Sequence, residues 1–326
     1  MKAIELIGLE GPNSLRLVDV EKPKPAEQEV LIEVKAAGVN YADVELSRGN
    51  YPASRPLPYI IGFEASGVVV ELGSRVTTLK VGDRIATVVS SGGYAQYATA
   101  LASNAIPIPN GMSFAEASTI PIQGLSAYTL LKLAAKPLPH ETVLIQAAAG
   151  GVGLYLVQLT KLLGVKHVVA LASSNEKLEL VRSLGADVVI NYSEKSWVDQ
   201  VRQATGGKGA DVVLEMASGE IGDQSFKLLA PFGRVIVFGA RNYRDAISTE
   251  KMQQLIFKNQ SIVGFAFPTL RPEHIRECVP GFLDLISTRK LKLFADDSNS
   301  FPLAEAKSAF AALSSRKTIG KVVLVP

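Results

Sequence analysis

The spacing of hydrophobic and polar positions changes once, near the first third of the chain. Up to about residue 122 short segments of alternating character recur, at residues 29–36, 67–72 and 84–89, each closed off by Gly, Pro, Asn or Asp. A period of two over so few residues predicts half-buried strands. Short strands at close intervals predict an all-β, barrel-like unit. Within it, residues 40–49 read as one short helix, followed by a proline-rich loop from Tyr51-Pro52 to Pro58.

From about residue 123 the pattern becomes strand, helix, strand, helix. Apolar runs at 142–147, 167–172, 187–191, 211–215 and 234–238, with a last one at 261–265, have the length and β-branched content of buried parallel strands. Helical spacing fills 126–133, 175–184, 196–205, 219–229 and, beyond the last strand, 272–288. Alternation of this kind predicts a doubly wound parallel sheet. The closing run, Lys321-Val322-Val323-Leu324-Val325, has β character and no place in a completed sheet of that type, so it is expected to return to the N-terminal unit. The expected division is therefore 1–122, 123–260 and a returning segment 261–326.

One stretch carries chemistry. Strand 142–147 runs into Ala148-Ala149-Gly150-Gly151-Val152-Gly153, and Leu156, Val157, Leu159 and Leu163 then follow at helical spacing up to Gly164. Strand, glycine turn and helix in that order form an A-x-G-x-x-G variant of the dinucleotide fingerprint: Gly150 admits a pyrophosphate to the backbone, and Gly153 lets the helix lie close to the strand. The helix start supplies free N–H groups and partial positive charge. The next strand would end in Asp or Glu if it bound the ribose 2′-OH of NAD. Here it ends Ser173-Ser174-Asn175, with Lys177 one turn on, which suits a 2′-phosphate and favours NADPH.

Composition changes this picture little. With 47% hydrophobic and 20% charged residues and a net charge of +3, the chain has the make-up of a soluble globular protein, with no basic tract to argue for nucleic acid. No uncharged run approaches the roughly 20 residues of a membrane span, and residues 1–5 enter a strand pattern without a signal-peptide core, so cytosol is the expected compartment. Cys278 is the only cysteine, which excludes an intrachain disulfide and a multi-thiolate zinc cluster. His274 precedes it by four residues, but no third metal ligand is evident.

The stretches Ala36-Ala37-Gly38-Val39-Asn40-Tyr41-Ala42-Asp43, Gly62-Phe63-Glu64-Ala65-Ser66-Gly67, Val81-Gly82-Asp83-Arg84 and Ala147 to Gly153, and Gly185-Ala186-Asp187 followed by Asn191-Tyr192, run in that order. Together they resemble the zinc-independent quinone oxidoreductase (zeta-crystallin-like) branch of the medium-chain dehydrogenase/reductase superfamily. The resemblance implies a GroES-like β-barrel catalytic domain beside a Rossmann domain. Zinc-dependent relatives carry Cys where Asn40 stands and Gly-His-Glu in place of Gly62-Phe63-Glu64, so metal-free chemistry is expected. By the same resemblance Asn40 would lie near the nicotinamide and the acceptor, and Tyr51 would border the substrate cleft, shaped by loops 48–59 and 241–249. Gly150, Gly151 and Val152 match the pyrophosphate turn, and Ser173, Lys177 and Tyr192 the 2′-phosphate pocket. Phe238 and Gly239, Phe265 and Phe267 on the crossover back to the first domain, and Lys321 complete the implied cofactor set. The implied activity is hydride transfer from NADPH to a quinone. An alternative is reduction of enones or 2-alkenals; a second is an NADPH-binding protein with little turnover, in a structural, sensing or RNA-binding role. In relatives the last sheet strand pairs with its twin, so a homodimer is expected.

Overall fold

Strand Glu29–Val39 alternates poorly because both its edges are paired and most of its side chains are buried. It runs antiparallel to Glu64–Leu72 on one side and to Tyr97–Leu101 and Val322–Val325 on the other. These belong to a seven-stranded sheet that also takes in Ser300–Pro302, Arg84–Val88 and Ile106–Pro107; a smaller sheet joins Leu15–Asp19, Lys2–Leu6 and Tyr59–Ile60. Ile4, Leu6, Val30, Ile32, Ile61, Ile85, Tyr94 and Phe310 fill the interior. The closing strand returns as expected, with Val322 opposite Val39 and Val323 opposite Gly38. One residue further back, Lys321 is carried to the level of Asn40. The computed structural model describes residues 1–52, 55–90, 92–239, 248–295 and 297–326.

The chain divides into two compact units, residues 1–122 with 293–326, and residues 123–292. The second holds a six-stranded parallel sheet in the order Val188–Asn191, His167–Ala172, Thr142–Ile145, Ala210–Glu215, Leu229–Phe238 and Ser261–Phe265. Sequential strands are joined by helices Gly151–Leu162, Asn175–Ser183, Trp197–Ala204, Gly219–Lys227 and Thr249–Phe257, the doubly wound arrangement. Val143, Leu144, Val169, Leu171, Val213 and Ile236 are fully buried, as a sheet covered on both faces requires.

Three expectations change. The helix expected at 126–133 extends from Ile120 to Ala135, with α-helical Leu125–Thr129 between two wider π-helical turns. Strand Leu229–Phe238 starts five residues before the expected 234, because buried Leu229 pairs with Ala210 ahead of a register shift. The return to the first unit comes at 293 rather than 261. Ser261–Phe265 pairs with Arg234–Phe238, and Phe282 of helix Pro272–Ser287 packs its ring 5.5 Å from Tyr128 and 5.9 Å from Tyr155. Phe265 and Phe267 thus belong to the parallel-sheet unit. Of the two loops expected to shape the cleft, residues 53 and 54 of one and 241–247 of the other lie outside the described residues.

Candidate functional site

The glycine turn has the build that a diphosphate requires. Strand Thr142–Ile145 leads through Ala147, at φ +45°, to Gly150, the N-cap of helix Gly151–Leu162. The left-handed residue is Ala147, so Ala148 needs no glycine and is wholly buried. A Cβ on Gly153 would stand 2.3 Å from the Ala147 carbonyl oxygen, and one on Gly151 would stand 2.0 Å from Gln123 Nε2. Gly150 is less confined, with 3.1 Å to the Ala147 oxygen. The helix's first i to i−4 bond runs from Leu154 N–H to Gly150. The Gly151 and Val152 N–H groups precede it, which leaves them to face an anion.

Strand His167–Ala172 ends at half-buried Ser173. Ser174 caps the next helix, its Oγ accepting from Lys177 N–H at 3.4 Å. The Lys177 side chain is buried rather than solvated, and that burial lowers its pKa. Tyr192 directly follows Val188–Asn191, donates its N–H to the Ala172 carbonyl and packs in part on the hydrophobic core. Ser173, Lys177 and Tyr192 therefore gather at the carboxyl ends of two neighbouring strands. Phe238 and Phe265 stand opposite each other at the ends of the strand pair on the far side of the sheet, with Gly239 at φ +95° beyond one and buried Phe267 opening a 3-10 turn beyond the other.

The first unit gathers a different set. Asn40 takes the N-cap position of helix Tyr41–Ser47, and its backbone N–H donates to Asp43 Oδ2 at 2.8 Å. Its side-chain amide is directed elsewhere. Nδ2 donates to Glu64 Oε1 at 2.8 Å, and Oδ1 accepts from Lys321 Nζ at 2.8 Å. Lys321 also donates to Glu64 Oε1, and Glu64 Oε2 accepts from Ile122 N–H at 2.8 Å. Glu64 and Lys321 are both wholly buried, and Asn40 is 6% exposed. Gly38 makes room, since a Cβ there would fall 2.4 Å from Lys321 Cε.

Against this group lies a second buried pair. Asp43 is fully buried, and that burial pushes its carboxyl pKa up to about 7, against the pull of the Asn40 N–H, the Tyr94 hydroxyl and Lys321. Tyr94 is raised well above the ordinary phenol range, first by burial and then by Asp43. Asp43 Oδ1 and Tyr94 Oη have no hydrogen-bond partner among the described residues, though each is close enough to shift the other. Tyr51 lies in the same unit, half-buried, its ring 5.8 Å from that of Phe63.

Lys321, taken from the sequence as a cofactor contact, is instead enclosed with Asn40 and Glu64. Glu64, Asp43 and Tyr94 were assigned no role from the sequence. A carboxylate opening a strand that is otherwise buried, Glu64-Ala65-Ser66-Gly67, was the available signal. So was an aspartate followed at once by buried Val44 in a helix of seven residues.

The chain matches a model described as zinc-binding dehydrogenase over residues 151–288 and one described as alcohol dehydrogenase GroES-like domain over residues 26–110. Quinone oxidoreductase 1 of Escherichia coli (strain K12) is 32% identical over 97% of this chain and 97% of its own length. The crystal structure of an Escherichia coli quinone oxidoreductase complexed with NADPH superposes with a TM-score of 0.91 at 31% identity, covering all of both chains. The quinone oxidoreductase from Thermus thermophilus, also solved in complex with NADPH, superposes with a TM-score of 0.85 at 36% identity, again over all of both chains. The donor set here does not fit a zinc ion. The Asn40 amide is taken by Glu64 and Lys321, Phe63 offers no ligand atom, and among the described residues no three of His, Cys, Asp or Glu are placed to hold a metal.

Proposed function

The chain belongs to the quinone oxidoreductase branch of the medium-chain dehydrogenase/reductase superfamily, and we propose that it reduces quinones with NADPH. It is an NADPH oxidoreductase; the acceptor and the residue roles are our assignment. The observation that carries it is the pairing of a glycine turn that the Ala147 and Ala148 backbone closes to any side chain at Gly153 with a neighbouring strand that ends in Ser173, Ser174 and Asn175 instead of a carboxylate, Lys177 lying one turn on. When bound, NADPH supplies a hydride. Gly150, Gly151 and Val152 would hold its diphosphate, and Ser173, Lys177 and Tyr192 its 2′-phosphate. Phe238, Gly239, Phe265 and Phe267, at the carboxyl edge of the sheet, would flank the nicotinamide half.

Hydride delivery to an electron-poor quinone needs orientation and a hydrogen-bond donor for the oxygen that gains charge, not a strong base. Asn40 is assigned as that donor and Tyr51 as an apolar wall. The test is NADPH oxidation in EDTA, with NADH in parallel, against a set of small quinones and a matched set of 2-alkenals. Turnover with quinones that survives the chelator and prefers NADPH supports the reading. Preference for alkenals moves the chain to double-bond reduction, and tight NADPH binding without any reduction leaves a binding protein.

Lys177→Ala should weaken NADPH by about 10- to 100-fold, the loss of one charge-assisted hydrogen bond of about 1.5–3 kcal/mol. NADH, which lacks the 2′-phosphate, should change little. Titration by nicotinamide fluorescence reads both, and equal losses would remove Lys177 from the 2′-phosphate pocket.

A homodimer is also proposed. Ser261–Phe265 is the last strand in the sheet order, and Phe232, Ile256 and Phe257 on the same unit are 76%, 66% and 82% exposed. Phe232 N–H bonds the Lys258 carbonyl at 2.8 Å, which brings these apolar side chains into one neighbourhood. Light scattering at twice the chain mass would bear this out. No helix among the described residues is long and apolar enough to cross a membrane. A cytosolic site of action is proposed with it, open to a fractionation test.

A further inference from the structure

The Asn40 amide is held at both ends by charged groups. Lys321 Nζ donates to Oδ1 at 2.8 Å, Nδ2 donates to Glu64 Oε1 at 2.8 Å, and the ion pair between Lys321 and Glu64 closes the triangle. An ammonium has only donors and an ionised carboxylate only acceptors. The amide can therefore sit one way round. Turned over, it would set its NH2 against the ammonium and its oxygen against the carboxylate. Nor can the ammonium move aside readily: the Gly38 backbone is close enough that a Cβ there would stand 2.4 Å from Lys321 Cε and 2.6 Å from Glu64 Oε1. Ile122 N–H fixes the far oxygen of Glu64.

A dry ion pair is a poor way to gain stability, since apolar replacements of equal volume often do as well or better. This pair joins residues 257 positions apart in sequence and is completely buried, and both its members touch the same amide. We propose that Glu64 and Lys321 are positioning residues that lock Asn40 in a single orientation, so that its NH2 group is the end offered to the acceptor oxygen. This rests on the reading above, in which Asn40 meets the acceptor. Nδ2 keeps a second hydrogen beyond its bond to Glu64. Its other hydrogen-bond contact among the described residues is the Gly38 carbonyl at 3.5 Å, the limit of a hydrogen bond, which a better acceptor would displace.

The test compares wild type with Asn40→Ala, with the paired variant Glu64→Gln/Lys321→Met, and with the triple variant. The pairing avoids stranding a buried charge. The introduced glutamine amide can serve either end of Asn40, so the lock is lost while the space stays filled. With a small para-quinone, Asn40→Ala and the paired variant should each lower kcat by about 10-fold or more at unchanged NADPH affinity. The triple variant should fall no lower than Asn40→Ala alone, because effects that pass through one residue do not multiply. Losses that multiply would mean that the pair is merely structural and would overturn the inference.

A second readout is independent of turnover. The side-chain amide signals of Asn40, identified by their loss in Asn40→Ala, should exchange with solvent about 10-fold faster or more in the paired variant. Unchanged exchange would overturn the inference even if quinones are reduced. Faster exchange in a protein whose wild type reduces no acceptor would instead uphold the lock and sink the quinone reading.

Discussion

Replacing Lys321 by methionine should cost about 3–5 kcal/mol of stability, the range for removing one partner of a buried ion pair. The volume is nearly conserved, so the loss is electrostatic. Glu64 would remain wholly buried, with its carboxylate facing an amide and a single backbone N–H instead of an ammonium. Adding Glu64→Gln should recover most of the loss, since a neutral amide can keep the bonds to Ile122 and Asn40 without carrying a charge into a dry interior. Urea unfolding of the single and paired variants, with the midpoint as the readout, separates the two. A single variant as stable as wild type would mean that water reaches Glu64 in solution.

A comparable effect is expected from pH at Asp43. In the folded chain its carboxyl titrates near about 7, against 3.8 for the unfolded side chain, because burial disfavours the charged form. The folded state thus holds a proton that the unfolded state has released. The stability that Asp43 contributes is largest below about pH 4, falls as pH rises, and is gone once pH passes about 7. A shift of about three units corresponds to about 4 kcal/mol across that window. Asp43→Asn should abolish this component, because its amide oxygen can still accept the Asn40 N–H and its charge never changes. The difference in unfolding free energy between variant and wild type, followed from about pH 4 to 8, should therefore grow by about 3–4 kcal/mol in favour of the variant. A flat difference would show that Asp43 is already ionised in the folded chain.

Neither effect could be read from the sequence, although most of the fold could. The parallel sheet was legible because its inner strands are covered on both faces and so appear as unbroken apolar runs; strand 167–172 coincides with the observed one, and so does 261–265, an apolar run at the half-exposed sheet edge. The glycine turn was legible because its chemistry is local, all within one short stretch. The unit boundary was not. Helix Pro272–Ser287 has the same period whichever unit it packs on, and only Phe282 against Tyr128 and Tyr155 decides the matter. Lys321 was obscured for a similar reason. A lysine after glycine at the head of a strand looks like an exposed turn, and what buries it is a register with residues 37–39, near the other end of the chain. Asn40 shows the limit of local rules: it opens the helix expected at 40–49, as its N-cap, but its side chain answers to distant charges.

That register also orders events during synthesis. Residues 123–292 are contiguous and can complete their sheet as soon as they leave the ribosome, whereas the first unit cannot close until residues 322–325 arrive to pair beside Val39. Until then Glu64 has no counter-charge and the interior around it has every reason to stay wet. Residues 1–122 are translated before the parallel-sheet unit and finished after it, so a chain stalled near residue 300 would carry a ready dinucleotide fold joined to an open, hydrated barrel that a chaperone or protease can recognise.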